Sequence, residues 1–241
     1  KDYPRGLLQL KSRLESELKS QVGRPVRIDI LADVLELADE HWRGAVEGYL
    51  NAQKFYLLVE PTYYKNALLI FDRIKQEFGF ASFGLVDIGK LRELETIRPR
   101  DDSLAKKVDT ESKLARSYID YLLGRVVCCE NAGQLRNFKT AITADGLIYQ
   151  GYVARSIRRE LMDDAFIGRR AVSLRISRLE KDLKEIEDEL HHWNPIHHLL
   201  SQSTEPLFSQ FFVQNTIAEK QEAYLRGKEI TNEVNDIDDQ L

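Results

Sequence analysis

The stretch VSLRISRLEKDLKEIEDEL, Val172–Leu190, decides how this chain is built. Its apolar residues Val172, Ile176, Leu179, Leu183, Ile186 and Leu190 advance by alternating steps of four and three. That is the a/d spacing of a coiled coil. Most of the residues between them are Lys, Arg, Asp or Glu, so only a narrow seam can be dry. A helix lying on a globular domain carries a broader apolar face. The stretch therefore predicts an arm that leaves a domain, not a layer within one.

Outward from this stretch the pattern recurs on both sides. Leu7, Leu10, Leu14, Leu18 and Val22 form a shorter apolar stripe, which Gly23-Arg24-Pro25 ends. Two helices flanking one domain, and leaving it on the same side, pair antiparallel. Downstream, Asn194-Pro195 predicts a break. Ile230, Val234, Ile237 and Leu241 then resume the four–three stepping, with a partner expected upstream of Lys1 or in another chain. The charge follows this division: about half the residues of 158–191 are charged, against about a quarter in 25–91.

The middle, 25–165, reads as alternating strands and helices. Strands are expected at Ala32–Leu37, Lys54–Glu60, Ser82–Asp87, Arg125–Cys129, Lys139–Thr143 and Leu147–Tyr149. Asp39 caps a helix over Glu40–Leu50, Pro61 opens one running to Phe78, and Thr110 caps one ending at Leu123. Residues 92–109 read as a linker or surface loop, and Asp145-Gly146 as a hairpin turn. The order helix, strand, helix, strand occurs twice, which predicts two similar halves. The expected division is thus 1–24 as an N-terminal arm, 25–98 and 99–165 as the two halves, 166–193 as the returning arm, and 194–241 as a break and continuing arm. The fold class is α+β.

Composition removes several function classes. The 241 residues include two adjacent cysteines, Cys128 and Cys129, which cannot build a disulfide scaffold and suit a reducing compartment. No apolar run approaches the ~20 residues of a membrane span. The net charge of −4 gives no global nucleic-acid signature. No signal peptide is visible, and with Met162 as its only methionine the chain is read as an excerpt of a longer polypeptide.

Catalytic constellations are sparse. Gly84-Leu-Val-Asp-Ile-Gly89-Lys90 fits seven positions of a phosphate-binding loop, but Leu91 lacks the hydroxyl that would hold Mg²⁺. His191, His192, His197 and His198 cluster without metal-ligand spacing. One or both cysteines are expected to be inert thiols. No catalytic residue and no metal ligand is assigned. Basic residues gather at Arg98, Arg100, Lys106 and Lys107, and again at Arg155, Arg158, Arg159, Arg169 and Arg170. The second group is the candidate for sequence-independent contact with DNA phosphates.

Particular residues resemble a known family. Thr143-Ala-Asp-Gly146-Leu-Ile148 followed by Gly151 looks like the "VT-x-DG-x-L/I" segment, with its following glycine, of hinge domains in the structural-maintenance-of-chromosomes (SMC) class. Leu31–Leu37 before the Glu47–Leu50 helix resembles the opening of the hinge's first half. Glu40–Asn51 (EHWRGAVEGYLN), Leu57–Pro61 and Gly146–Arg155 (GLIYQGYVAR) are most similar to the MukB-like ATPase subunit of Wadjet-type plasmid-defence systems (JetC and relatives). Where the family carries further glycines after the second strand, this chain has Tyr152-Val153-Ala154.

The resemblance implies a homodimerisation hinge closing two coiled-coil arms, in the cytoplasm and associated with the nucleoid. It implies no cofactor within these residues: ATP and Mg²⁺ belong to ATPase heads elsewhere, as do kleisin-type and nuclease partner subunits. Double-stranded DNA is a candidate partner; a membrane is not. The expected interface consists of edge strands near Gly84, Leu85 and Val86, and near Ile142, Gly146, Ile148, Tyr149, Gly151 and Tyr152, because an unpaired edge templates another chain. Ile148→Asp is then expected to give a folded monomer. Two other classes stay open. One is the apex of a coiled-coil DNA-repair ATPase, against which the lack of CxxC speaks. The other is a ligand-binding enzyme domain with helical arms.

Overall fold

A computed structural model describes residues 3–74, 83–93 and 98–238 of the chain. They fall into two compact units, one ending at Arg178 and the other running from Leu179. The first is an α+β globule. The second is helical throughout its described residues.

The globule opens with α1 (Leu7–Val22), which Gly23 ends in a left-handed cap with its N–H on the Lys19 carbonyl. Leu7, Leu10, Leu14 and Leu18 are completely buried, each worth about 2 kcal/mol relative to exposure. Their partner is α3 (Pro61–Ile74), which buries Tyr63, Ala67, Ile70 and Ile74 at four–three–four spacing. Arg24 meets Tyr63, Gln21 meets Asn66, and Glu17 meets Arg73, so the two helices run antiparallel. Of the expected arm 1–24, the described helix α1 is therefore packed on α3 and not on the returning helix. A stripe of matching period lies within the same globule, and α1 packs there.

Each half contains a helix followed by a parallel β–α–β unit. In the first half, α2 (Arg43–Leu50) precedes β3 (Leu57–Leu58), α3 and β4 (Leu85–Val86). β3 and β4 pair in parallel, and β1 (Asp29–Ile30) adds antiparallel to β3. In the second half, α5 (Lys113–Leu123) precedes β6 (Val127–Cys129), α6 (Ala132–Leu135) and β7 (Thr140–Thr143). β6 and β7 are parallel; β8 (Leu147–Gln150) and β9 (Val153–Ser156) follow antiparallel, giving the order β6-β7-β8-β9. β2 (Glu36–Leu37) pairs with β5 (Val108–Asp109) across the halves. One core takes in Leu57 and Val86 from the first half and Ile142 and Ile148 from the second, so the halves share it, while the second half adds a smaller cluster of its own around Val127, Cys129, Leu135 and Ala141.

Several local expectations shift. Ala32–Leu37 is a strand only at Glu36–Leu37, because a 3₁₀ turn takes Leu31–Asp33. Lys54–Glu60 keeps a strand only at Leu57–Leu58, because a 3₁₀ turn takes Asn51–Phe55. Asp39 does cap, through its carboxylate on the His41 N–H. The cap of α5 is Ser112 rather than Thr110, whose hydroxyl is given to the Val34 carbonyl. The 92–109 stretch is not simply a surface loop: Ser103, Leu104, Ala105 and Val108 are buried, and β5 lies in it. The expected helix end at Phe78, the strand start at Ser82 and Leu241 lie outside the described residues.

α4 (Ile88–Glu93) and α7 (Arg159–Asp163) are short. The last helix, α8, runs unbroken from Ala171 to Asp238. Pro195 therefore does not break it; proline removes one N–H from the ladder, and the turns on either side carry the helix on. The predicted seam is present and uncovered: Leu179, Leu183, Ile186 and Leu190 are each more than half exposed.

Candidate functional site

Strand edges are where the globule can act on another chain, since each strand there leaves N–H and C=O groups unpaired. In the second-half sheet, β6 is closed on its outer side by the preceding segment. The Leu104 amide donates to the Val126 carbonyl at 2.7 Å, the Cys128 amide donates to the Asp102 carbonyl at 2.8 Å, and Ser103 bridges Val127. β7 and β8 lie inside the sheet. The open edge is β9, whose four residues are all exposed.

This relocates the expected edge. Ile142 and Ile148 are buried core residues, and the run from Ile142 to Tyr149 has a strand on each side. The cause is a hairpin the sequence reading did not include. Gln150 pairs with Val153 across a two-residue loop, Gly151-Tyr152, with φ of +58° and +66°. Two positive φ angles in a two-residue loop mark a type I′ turn, which matches the strand twist. Tyr152 is 94% exposed at its tip. Gly146 has a different job. Its φ is +85°, and a Cβ there would lie 2.4 Å from Met162 Sδ, so it serves the β7–β8 turn and internal packing.

Among the described residues β4, at one end of the order β1-β3-β4, has a strand partner on one side only and is the second candidate edge. Beside it lies a groove of about 660 Å³ lined by Tyr56, Tyr118, Tyr121, Leu85, Asp87 and Lys90. Gly84 lets the backbone pass against Tyr56, whose ring lies within 2.8–2.9 Å of where a Cβ would sit. Burial, reinforced by Tyr56 and Tyr121, raises the Tyr118 phenol above its ordinary value. The phosphate-loop reading of the same residues fails on geometry. Leu85–Val86 are a strand, and the Lys90 amide is taken by the Asp87 carboxylate at 3.0 Å. An acid stands where a phosphate would need a donor.

The basic groups are largely answered by acids. Arg169 meets Glu36 through both its amide and its Nε, and Arg159 meets Asp163 at 3.6 Å. Arg170 lies near Glu40. Arg100 pairs with Asp102, Lys106 approaches Asp101, and Lys107 pairs with Asp39. Arg155, on β9, and Arg158 are exposed and carry no ion pair among the described residues.

Burial pushes the Cys128 thiol up to about 12, against an opposing influence of Lys107, and raises Cys129 too. Neither is a thiolate at neutral pH. The clustered histidines lie exposed on α8. Among the described residues no group of three or more His, Cys, Asp or Glu could hold a metal ion, and no helix is long and apolar enough to cross a membrane. The sequence reading also missed Glu47, a fully buried carboxylate held by Lys54. Its only signal was an acid among the apolar residues of GAVEGYL.

No family model matches the chain, and no curated protein matches it. Solved structures do. The Pyrococcus furiosus Smc hinge domain with an extended coiled coil is similar at 16% identity, covering 77% of this chain and 72% of that one, with a TM-score of 0.44. The Geobacillus stearothermophilus SMC hinge domain, an asymmetric dimer, is similar at 15% identity over 76% and 79%, with a TM-score of 0.42. The S. pombe Smc5/6 hinge domain is similar at 11% identity over 90% and 95%, with a TM-score of 0.45.

Proposed function

We propose that this chain is the self-associating hinge of an SMC-class protein. It joins two copies through the open edges of β4 and β9, and α8 leaves as an arm toward ATPase heads outside these residues. The observation that carries the reading is the presence of two unlike open edges, β4 and β9, on one globule. The residues Thr143–Ile148 and Gly151, which resemble the hinge segment, support it independently. Pairing β4 of one copy with β9 of the other, twice about a two-fold axis, satisfies both of these edges and closes the assembly at two copies.

The finer assignment rests on sequence resemblance in Glu40–Asn51 and Gly146–Arg155 to the Wadjet-type subunit. It places the parent protein among DNA-translocating or loop-extruding ATPases, with kleisin-type and nuclease partners, and ATP and Mg²⁺ acting at the heads. Arg155 and Arg158 are the residues we assign to a sequence-independent touch on DNA. Light scattering of the purified chain at micromolar concentration tests the central claim: a dimer is expected, and a strict monomer overturns it. For DNA, anisotropy of a labelled duplex should fall steeply with salt and weaken in the Arg155→Glu/Arg158→Glu double variant. Binding indifferent to both removes the DNA assignment and leaves the dimer intact.

A further inference from the structure

The segment that leads into α8 is buried coil, from Ala165 to Ile167. Buried backbone must find hydrogen-bond partners, and here they come from charged side chains of the first half. The amides of Phe166 and Ile167 both donate to one Glu47 oxygen at 2.7 Å. The other Glu47 oxygen accepts from Lys54 Nζ at 2.9 Å, and Lys54 also donates to the Asp164 carbonyl at 3.1 Å. Arg43 donates to the Ile167 carbonyl at 2.7 Å. Glu47 is wholly buried and Lys54 almost so.

The Phe166 ring is boxed as well. Phe55 meets it edge-on at 4.7 Å, Tyr3 lies 6.1 Å away, and Lys54 Nζ and the Arg175 guanidinium lie over it at 5.0 and 4.4 Å. Arg175, in the second turn of α8, also reaches back to Asp164 at 3.6 Å. Residues more than 100 positions apart in the chain thus meet at one buried charge pair. Removing Glu47 would at once orphan two amides and strand an ammonium, and a buried pair broken on one side is far costlier than one replaced whole.

We propose that Glu47 and Lys54 are positioning residues for the arm: they fasten Asp164–Ile167, the root of α8, and this root opens as one unit apart from the β6–β9 sheet. Its functional meaning rests on the reading of α8 as an arm.

Hydrogen exchange measured on the whole chain tests it. In Glu47→Leu, amides of 164–175 should exchange about tenfold faster while those of β7 and β8 keep their native rates, the signature of a separate cooperative unit. In Glu47→Gln/Lys54→Met, which keeps the acceptor and takes from Arg43 its 3.7 Å contact with Glu47 but leaves it Glu40 and the Ile167 carbonyl, protection should return to near native. Uniform acceleration everywhere, no acceleration at 164–175, or a double variant as open as Glu47→Leu would each overturn the proposal. Should Glu47→Leu not fold, Phe166→Ala is measured instead, with the same local pattern expected and a uniform loss overturning it. Light scattering on the same samples separates the two ideas. An opened root with dimerisation intact supports the fastening alone, whereas loss of dimer with native exchange at 164–175 counts against it.

Discussion

Tyr152 follows Gly151 with its backbone in the same left-handed region, φ +66° against +58°. Glycine adopts that conformation freely. A tyrosine pays about 1–2 kcal/mol for it, and this one hides none of its ring in return, since it is 94% exposed. An observed backbone outlier on an open edge is grounds for a functional hypothesis, here that the ring belongs to the contact between copies. Tyr152→Gly should stabilise the isolated chain by about 1 kcal/mol, read as a shifted urea midpoint at dilute concentration, and should weaken the dimer. Unchanged stability would remove the strain argument; unchanged self-association would remove Tyr152 from the interface.

The β9 edge can be blocked without touching the core. Val153 pairs with Gln150 beside the turn, Arg155 pairs with Ile148, and the Ile157 amide donates to the Gly146 carbonyl at 2.9 Å. The odd-numbered amides therefore face β8, and the amides of Ala154 and Ser156 face out. Ala154→Pro removes an outward donor and leaves the internal ladder whole. It should give a monomer with native circular dichroism; a dimer of native affinity would exclude β9. Ile148→Asp, which suits an edge residue, instead places a carboxylate in the core and should unfold the chain.

Gly146 and Gly151 share a positive φ but not a neighbourhood. Nothing lies within 4 Å of a Cβ added at Gly151, whereas one at Gly146 meets Met162 Sδ and Cε at 2.4 and 2.9 Å. Gly151→Ala should cost about 1 kcal/mol, the backbone penalty alone. Gly146→Ala adds the displacement of the Met162 thioether, the far end of a flexible side chain, and so only the low end of the overpacking range, about 1 kcal/mol. Denaturant midpoints for the two variants should differ in that order, and equal losses would contradict the packing.

Burial raises the Cys128 thiol from 9.0 to about 12, with Lys107 pulling the other way. The folded state holds this proton more tightly than the unfolded chain does. Its contribution to stability is therefore whole below pH 9 and declines as the pH rises from there toward 12. The thermal midpoint should fall over that window, and less steeply in Cys128→Ala. Tyr118, shifted in the same direction by burial, keeps some slope in the variant. A midpoint flat in the native chain through pH 11 would refute the burial of this thiol.

Legibility in the sequence followed locality. The α8 seam, the Asp39 cap, the Asp145-Gly146 turn and the repeated helix–strand order were readable because each is written within a few neighbouring residues. β9 was not, because Val153–Ser156 are all exposed and show no alternation of buried and solvated positions. Missing it put the open edge one or two strands too early. The Glu47 contact with Phe166 spans 119 residues, and no local pattern writes such a pairing. α1 was misassigned because the stripe on α3 has the same four–three steps as the seam on α8. Periodicity names a face, not its partner.

That last ambiguity yields a direct comparison. Leu14 on α1 is completely buried, and Leu183 on α8 is 57% exposed, although both sit in the same kind of stripe. Were residues 1–24 an arm, losing either leucine would weaken a coil and leave the globule's own melting unchanged. With α1 packed on α3, Leu14→Ala opens a cavity and should cost about 2–5 kcal/mol. Leu183→Ala should stay within about 0.5 kcal/mol in the isolated chain, as surface substitutions do. Urea unfolding of both variants, followed by near-ultraviolet signals of the globule's tyrosines, makes the measurement. Equal small effects would return α1 to the role of an arm, and a large effect of Leu183→Ala would mean that the α8 seam is already covered in solution.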